Sequence, residues 1–305
     1  MCRYILEAVQ TSLFPVVSDR RIFGALGAMA AMSAVGSSVG ASSLLVDYPV
    51  MLGQAGRYAL AAALLFLFAR GRLPPLTRRD AVTLAALALT GLAGFNVLLI
   101  AALDHADPAS VGVIVGAVPL ALAVGGPLFA RRALSAPLIA AATVVVIGAA
   151  LVQWATPNLS PLGLLLASGA LAAEAAFTLL AVPVLPRIGP LATSAYACLF
   201  AAPMLLAGAL LTGTELPLPD LAELAALLYL AVVVTALAFV VWYAAVRTLG
   251  AEQAGLFAGL VPITALVSGA LLGTVVTTPA RLVGVLLVGA GIAAGLRARA
   301  AEPNT

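Results

Sequence analysis

Lysine does not occur in this 305-residue chain, histidine occurs once, and cysteine twice. Charged residues make up 9% of the sequence, against about a quarter in soluble domains. Each absence excludes something. Without lysine no Walker-type GxxxxGK[ST] loop can exist, which argues against direct coupling to nucleotide hydrolysis in this chain. One His, no cluster of acids and no His/Cys ligand spacing argue against a metal centre, a Ser/His nucleophile or any bound cofactor. Cys2 and Cys198 stand far apart in an unsuitable setting for a disulfide framework, and Cys198 reads as a small packing residue. The formal charge of +3 comes entirely from scattered Arg, with no basic run or interleaved aromatics to suggest nucleic acid. The strict polar/apolar alternation of an outer-membrane barrel is missing too.

What is abundant is apolar sequence. Hydrophobic residues make up 63% of the chain and its mean hydropathy is +1.16. A helix rising ~1.5 Å per residue needs about 20 apolar residues to cross ~30 Å of hydrocarbon. Breaks at Pro, Gly and charge clusters divide the chain into ten such spans: 22–45, 49–69, 80–103, 109–130, 134–154, 161–182, 189–211, 221–245, 252–275 and 279–297. The expected fold is an all-α membrane protein of ten transmembrane helices, with membrane lipid as its solvent. A polar leader (1–21) precedes a first helix that reads as a retained anchor, and a short tail (298–305) follows the last.

The strongest internal signal is a repeat. Gly112, Gly116, Pro119 and Gly126 recur as Gly255, Gly259, Pro262 and Gly269, every pair separated by the interval that runs from Pro119 to Pro262. A split at 155–160 leaves five spans on each side, 22–154 and 161–297. An odd number of crossings per half gives the halves opposite orientations, the inverted-repeat construction of many secondary transporters. Arg placement sets the direction. With the N-terminus in the cytoplasm, inner segments hold Arg3, Arg20, Arg21, Arg70, Arg72, Arg78, Arg79, Arg131, Arg132, Arg187, Arg247, Arg297 and Arg299, and the outer side only Arg281. Both termini are then cytoplasmic, and the expected location is the bacterial cytoplasmic membrane.

Polar residues at membrane depth are costly and mark candidate sites. Arg57 sits near the centre of the second span, as a ligand for a substrate or coupled carboxylate, or as a structural ion-pair partner. Glu174 is the acid deepest within a span and is a candidate proton carrier, a hydrogen-bonded structural carboxyl, or a permanent partner of Arg57. Asn96 lies in the third span. Trp242 and Tyr243 lie in the eighth, where they either shape an apolar pocket or anchor the helix at the membrane surface. Pro119 and Pro262 are hinge candidates, because carbonyls freed at membrane depth survive only against protein or a wet cavity. Gly112, Gly116, Gly255 and Gly259 are helix-packing candidates, and the Ser-rich first span (Ser33, Ser37, Ser38, Ser42, Ser43) reads the same way. His105, beside Asp104 and Asp107, reads as a solvated loop residue.

Two stretches carry a family resemblance. Gly56–Leu65, with Arg followed by an aromatic and an Ala/Leu run, resembles the second helix of the EamA family of the drug/metabolite transporter superfamily. Ala101–Gly126, where an Ala-Leu end, a short loop and small residues lead to Pro, is similar to its third-to-fourth helix passage, and Ala245–Gly273 is similar again. The chain departs from that family in two places. The Trp often found in its first and sixth helices is replaced by Ser, Ala, Gly and Glu174, and its Gly-Glu pairs by Ala130-Arg131 and Gly273-Thr274. The resemblance implies a secondary transporter, working as monomer or homodimer, that exports small amino-acid-like metabolites or amphiphilic drugs by alternating access, with proton antiport as a candidate coupling. A passive facilitator or uptake permease is the alternative reading. An intramembrane enzyme and a non-transporting assembly subunit fit the residues less well. The Arg distribution makes topology testable: reporter fusions at Thr305 and within 70–79 should report the cytoplasm, and fusions within 155–160 the outside. Fusions at 157 and 305 reporting the same side would end the inverted-repeat reading.

Overall fold

The computed structural model describes residues 2–153, 159–271, 273 and 278–298, with side chains from Arg20 onward. Ten helices follow one another: α1 (Cys2–Ser42), α2 (Val50–Ala69), α3 (Arg78–Leu103), α4 (Pro108–Phe129), α5 (Ala136–Val152), α6 (Pro161–Leu179), α7 (Leu185–Leu211), α8 (Leu221–Leu249), α9 (Ala251–Leu271) and α10 (Pro279–Ala298). Among the described residues nine of these helices contain spans long and apolar enough to cross a bilayer, and α5 is a shorter apolar helix. Among the described residues the β structure is an isolated bridge between Ala106 and Leu159. Helix ends fall within four residues of the sequence expectation except at α1, which runs back to Cys2 through the leader. Parts of the leader, the 155–160 split, Thr274 and Arg299 onward lie outside the described residues or side chains. α7 begins earlier than expected because its first turn precedes a kink. Gly189 there has φ 78°, a conformation suited to Gly, and Pro190 keeps the residue before it out of the helix.

Local chemistry sets the helix ends. Thr77 and Asp80 form a capping box at the start of α3, and Asp220 and Glu223 form one at the start of α8. The two boxes stand at the repeat interval, as do the left-handed C-terminal residues Arg70 of α2 (φ 50°) and Gly213 of α7 (φ 67°). Inside α3 and α8 the repeat continues with a feature that apolar periodicity did not reveal. Both pass through a π-helical stretch, Ala88–Gly94 and Leu230–Leu237. α4 and α9 break at matching places, at Gly116–Ala117 and over the 3-10 turn Leu256–Gly259.

The break corrects the expected role of the prolines in one respect. Pro119 and Pro262 do not interrupt continuous helices. Each lies in the first turn of the segment after the break, where an absent N–H costs little.

The halves meet along α5 and α10. Val145 and Val288, another pair at the repeat interval, are fully buried there, and Gly148 and Gly291 are related in the same way. A Cβ added at Gly148 would lie 2.7 Å from the Gly284 carbonyl oxygen, and one at Gly291 would lie 2.9 Å from that of Ala141. The backbones touch, which only small residues permit. Gly259 of α9 packs against the same valines, and Gly255 against Leu122 of α4, where a Cβ would come within 2.8 Å.

Arg20, Arg21, Arg70, Arg72, Arg78, Arg79, Arg131, Arg132, Arg187, Arg247 and Arg297 all fall at one end of the bundle, called here the arginine-rich end, and Arg281 at the other. Replacing Gly291 by Val should destabilise the bundle by about 1–3 kcal/mol, since backbone has to move. Gly289 has open space around it, so Gly289→Ala should be neutral. Thermal unfolding of the purified variants in detergent checks the contrast, and equal melting temperatures for the two would refute the close contact.

Candidate substrate site

Arg57 projects from α2 toward the π-helical stretch of α8. Its Nε donates to Thr235 Oγ1 at 2.5 Å and its Nη1 to Gln54 Oε1 at 3.3 Å. The Thr235 hydroxyl donates its own proton to the Leu230 carbonyl at 2.8 Å, five residues back, leaving its lone pairs for Arg57. A π-turn thus supplies the acceptor: the extra residue re-aims Thr235, and its hydroxyl satisfies a loosened carbonyl. The Arg57 guanidinium carbon also lies 5.4 Å from the Tyr58 ring centroid, within cation–π range.

Tyr58 is buried, and its hydroxyl takes a 3.5 Å contact from Asn96 Nδ2, which donates more strongly to the Leu92 carbonyl at 2.7 Å. Leu92 lies in the π-helical stretch of α3. From Tyr58 a chain of rings crosses the bundle: Phe239 at 6.4 Å between centroids, Phe177 4.9 Å further, and Tyr243 5.1 Å beyond. Tyr243 Oη donates to the Phe177 carbonyl at 3.1 Å and Trp242 Nε1 donates to Thr178 Oγ1 at 3.2 Å. Both aromatics are buried in the core.

Glu174 lies one turn before Phe177 and Thr178 on α6, half-buried and within electrostatic reach of Tyr58 and Tyr243. It has no hydrogen bond or ion pair among the described residues, and neither does Arg57 have a carboxylate. The structure therefore links Arg57 to Asn96 through Tyr58, and sets Trp242 and Tyr243 on residues one turn beyond Glu174, without joining Arg57 to Glu174 among the described residues. The aromatic chain links their neighbourhoods. Cys198 is buried nearby on α7, and His105 is exposed in its loop.

A cavity of about 210 Å³ does occur, but at the arginine-rich end, lined by Arg132, Arg247 and Glu252 together with apolar side chains. Arg132 Nη2 pairs with Glu252 Oε1 at 2.5 Å, and the carboxylate is buried at the start of α9. Next to it, Gln253 is fully buried, accepting from Arg21 Nη2 at 3.1 Å and donating to the Gly295 carbonyl at 3.0 Å. Arg187 makes an ion pair with Asp80, the same carboxylate that caps α3.

Sequence reasoning passed over Glu252, Gln253, Asp80 and their partners because all lie at span ends. A signal was present: Asp80 and Glu252 are acids on the arginine-rich side of otherwise apolar spans. Tyr58, Thr235 and Phe177 carried no such mark, since their roles come from the π-turns and from packing.

Comparison with known proteins agrees with this architecture. Residues 161–295 match the EamA-like transporter family. Over 258 residues the chain is 29% identical to the uncharacterized transporter YetK of Bacillus subtilis (strain 168), covering 80% of this chain and 78% of that one. A solved crystal structure of another protein superposes with a TM-score of 0.78 at 19% identity, covering 92% of this chain and 99% of the other, which speaks to the fold.

Proposed function

From a multi-pass membrane transporter whose residues 161–295 match the EamA-like transporter family, we propose a secondary active exporter of small amino-acid-like metabolites, or of amphiphilic molecules of similar size, working by alternating access with proton exchange at Glu174. The observation that carries this reading is the state of Arg57. Among the described residues, a guanidinium held in the bundle is engaged by the uncharged oxygens of Thr235 and Gln54 and by the Tyr58 ring, with no carboxylate on it. Such a cation has room for an anionic ligand and a strong energetic reason to bind one. Arg57 is the substrate-carboxylate anchor, the Tyr58–Phe239–Phe177–Tyr243 rings form the apolar wall, and Asn96 is the hydrogen-bonding group beside it.

Glu174, one helical turn from that wall and without a bonded partner among the described residues, takes the proton that is exchanged for substrate. The halves 22–154 and 161–297 rock about α5 and α10, and the matching breaks in α4 and α9 absorb the bending that Pro119 and Pro262 keep from closing into helix. Positive-inside orientation makes the arginine-rich end cytoplasmic.

The test is flux in proteoliposomes against a panel of amino acids and small organic acids. Arg57→Gln and Glu174→Gln should insert and fold normally yet lower flux about tenfold or more, the scale on which removing one side of a desolvated charge pair weakens binding. The double variant should be no better than either. Full flux in Glu174→Gln with an unchanged pH profile would remove proton exchange, and full flux in Arg57→Gln would remove the carboxylate anchor.

A further inference from the structure

The cavity at the arginine-rich end lies outside the site just described. None of Arg57, Asn96, Glu174, Trp242 and Tyr243 lines it. Val246, on its wall, is one turn from Trp242, and Leu179, also on its wall, directly follows Thr178. The Trp242–Thr178 and Tyr243–Phe177 bonds therefore lie within one turn of residues of the cavity wall.

Its charge is unbalanced. Two guanidinium groups, Arg132 and Arg247, line it against one carboxylate, Glu252. Arg132 gives Glu252 one nitrogen, and the fork geometry of guanidinium leaves further donors for a second acceptor. Arg247 has no hydrogen-bond or ion-pair partner among the described residues. Its Nη1 lies 3.9 Å from where a Cβ would stand on Gly189, so it overhangs the kink of α7. Phe129, Leu179 and Val246 make the remainder apolar. At about 210 Å³ the space falls below the ~300–1,000 Å³ of sites for drug-sized molecules.

We propose that this cavity is a second binding site, one that takes the carboxylate of a small organic acid or amino acid between Arg247 and Arg132 with its apolar part against Phe129, Leu179 and Val246. Glu252 is the built-in competitor. A ligand carboxylate takes the Arg132 donors that Glu252 leaves free and, by sharing the guanidinium, weakens the tie between the α4–α5 connection and α9. That the ligand is also the transported molecule rests on the exporter reading above; that the site binds carboxylates does not.

Calorimetry on the full chain in zwitterionic lipid nanodiscs, corrected with empty nanodiscs, tests it with benzoate, its neutral isostere benzamide and the cation benzylamine. Benzoate should bind and the other two should not. Arg247→Gln should weaken benzoate binding about tenfold or more, Arg247→Lys should recover most of it, and Arg57→Gln should leave the Arg247-dependent binding in place. Equal binding of benzoate and benzamide, no benzoate binding at all, unchanged affinity in Arg247→Gln, or loss confined to Arg57→Gln would each overturn the proposal. Benzoate binding through Arg247 without any Arg57-dependent flux would keep this site and remove the transport reading instead.

Discussion

Hydrocarbon gives helices no hydrophobic reason to associate, so the bundle depends on the place where backbones come closest, the α5–α10 seam. There Gly148, Gly284 and Gly291 let carbonyl and Cα surfaces meet, and Val145 and Val288 fill the space beside them. Because these residues are related by the repeat, the seam is two copies of one half-contact turned on each other. α9 docks onto the same valines through Gly259. Were the seam opened by even one methyl group, the positions of α4 and α9, and with them Glu252 and the cavity wall, would shift.

Symmetry holds for the scaffold and fails at the site. Capping boxes, π-turns, helix breaks and seam glycines all recur at the interval that separates Pro119 from Pro262. The polar residues do not: the partners of Arg57, Asn96 and Glu174 at that interval are Phe200, Phe239 and Ala31, and those of Trp242 and Tyr243 are Leu99 and Ile100. On the proposed alternating-access mechanism, a symmetric frame would let two equivalent states interconvert, and an asymmetric filling would hold one ligand at a single point between them. The ion pairs Arg132–Glu252 and Arg187–Asp80 add a further asymmetry by tying helices together at the arginine-rich end.

Much of this was readable from residue order alone. Ten apolar runs, their ends and the repeat follow from composition, Pro/Gly punctuation and the spacing of Gly112, Gly116 and Pro119, because hydrocarbon thickness admits few solutions. Arg57 and Glu174 were visible for the same reason, as charges where charge is costly. The π-turns were not, since one extra residue per turn leaves no trace in helices apolar on all sides. Without them nothing pointed to Thr235 as the acceptor for Arg57. Pairing was hidden as well: sequence brings Arg57 and Glu174 to similar depth, and only packing decides that a row of aromatic rings lies along the way between their helices.

The central claim is that the halves move about a fixed α5–α10 seam while the arginine-rich end opens and closes. Spin labels at residues 131 and 182, in a Cys2→Ser, Cys198→Ala background, report across the cavity mouth, and labels at 140 and 289 report across the lipid-facing side of the seam. Double electron–electron resonance in nanodiscs should give two distance populations for 131–182, with their ratio changed by a transported substrate, and one unchanging population for 140–289. A single invariant distance across the mouth, or a seam distance that splits with it, would contradict the account.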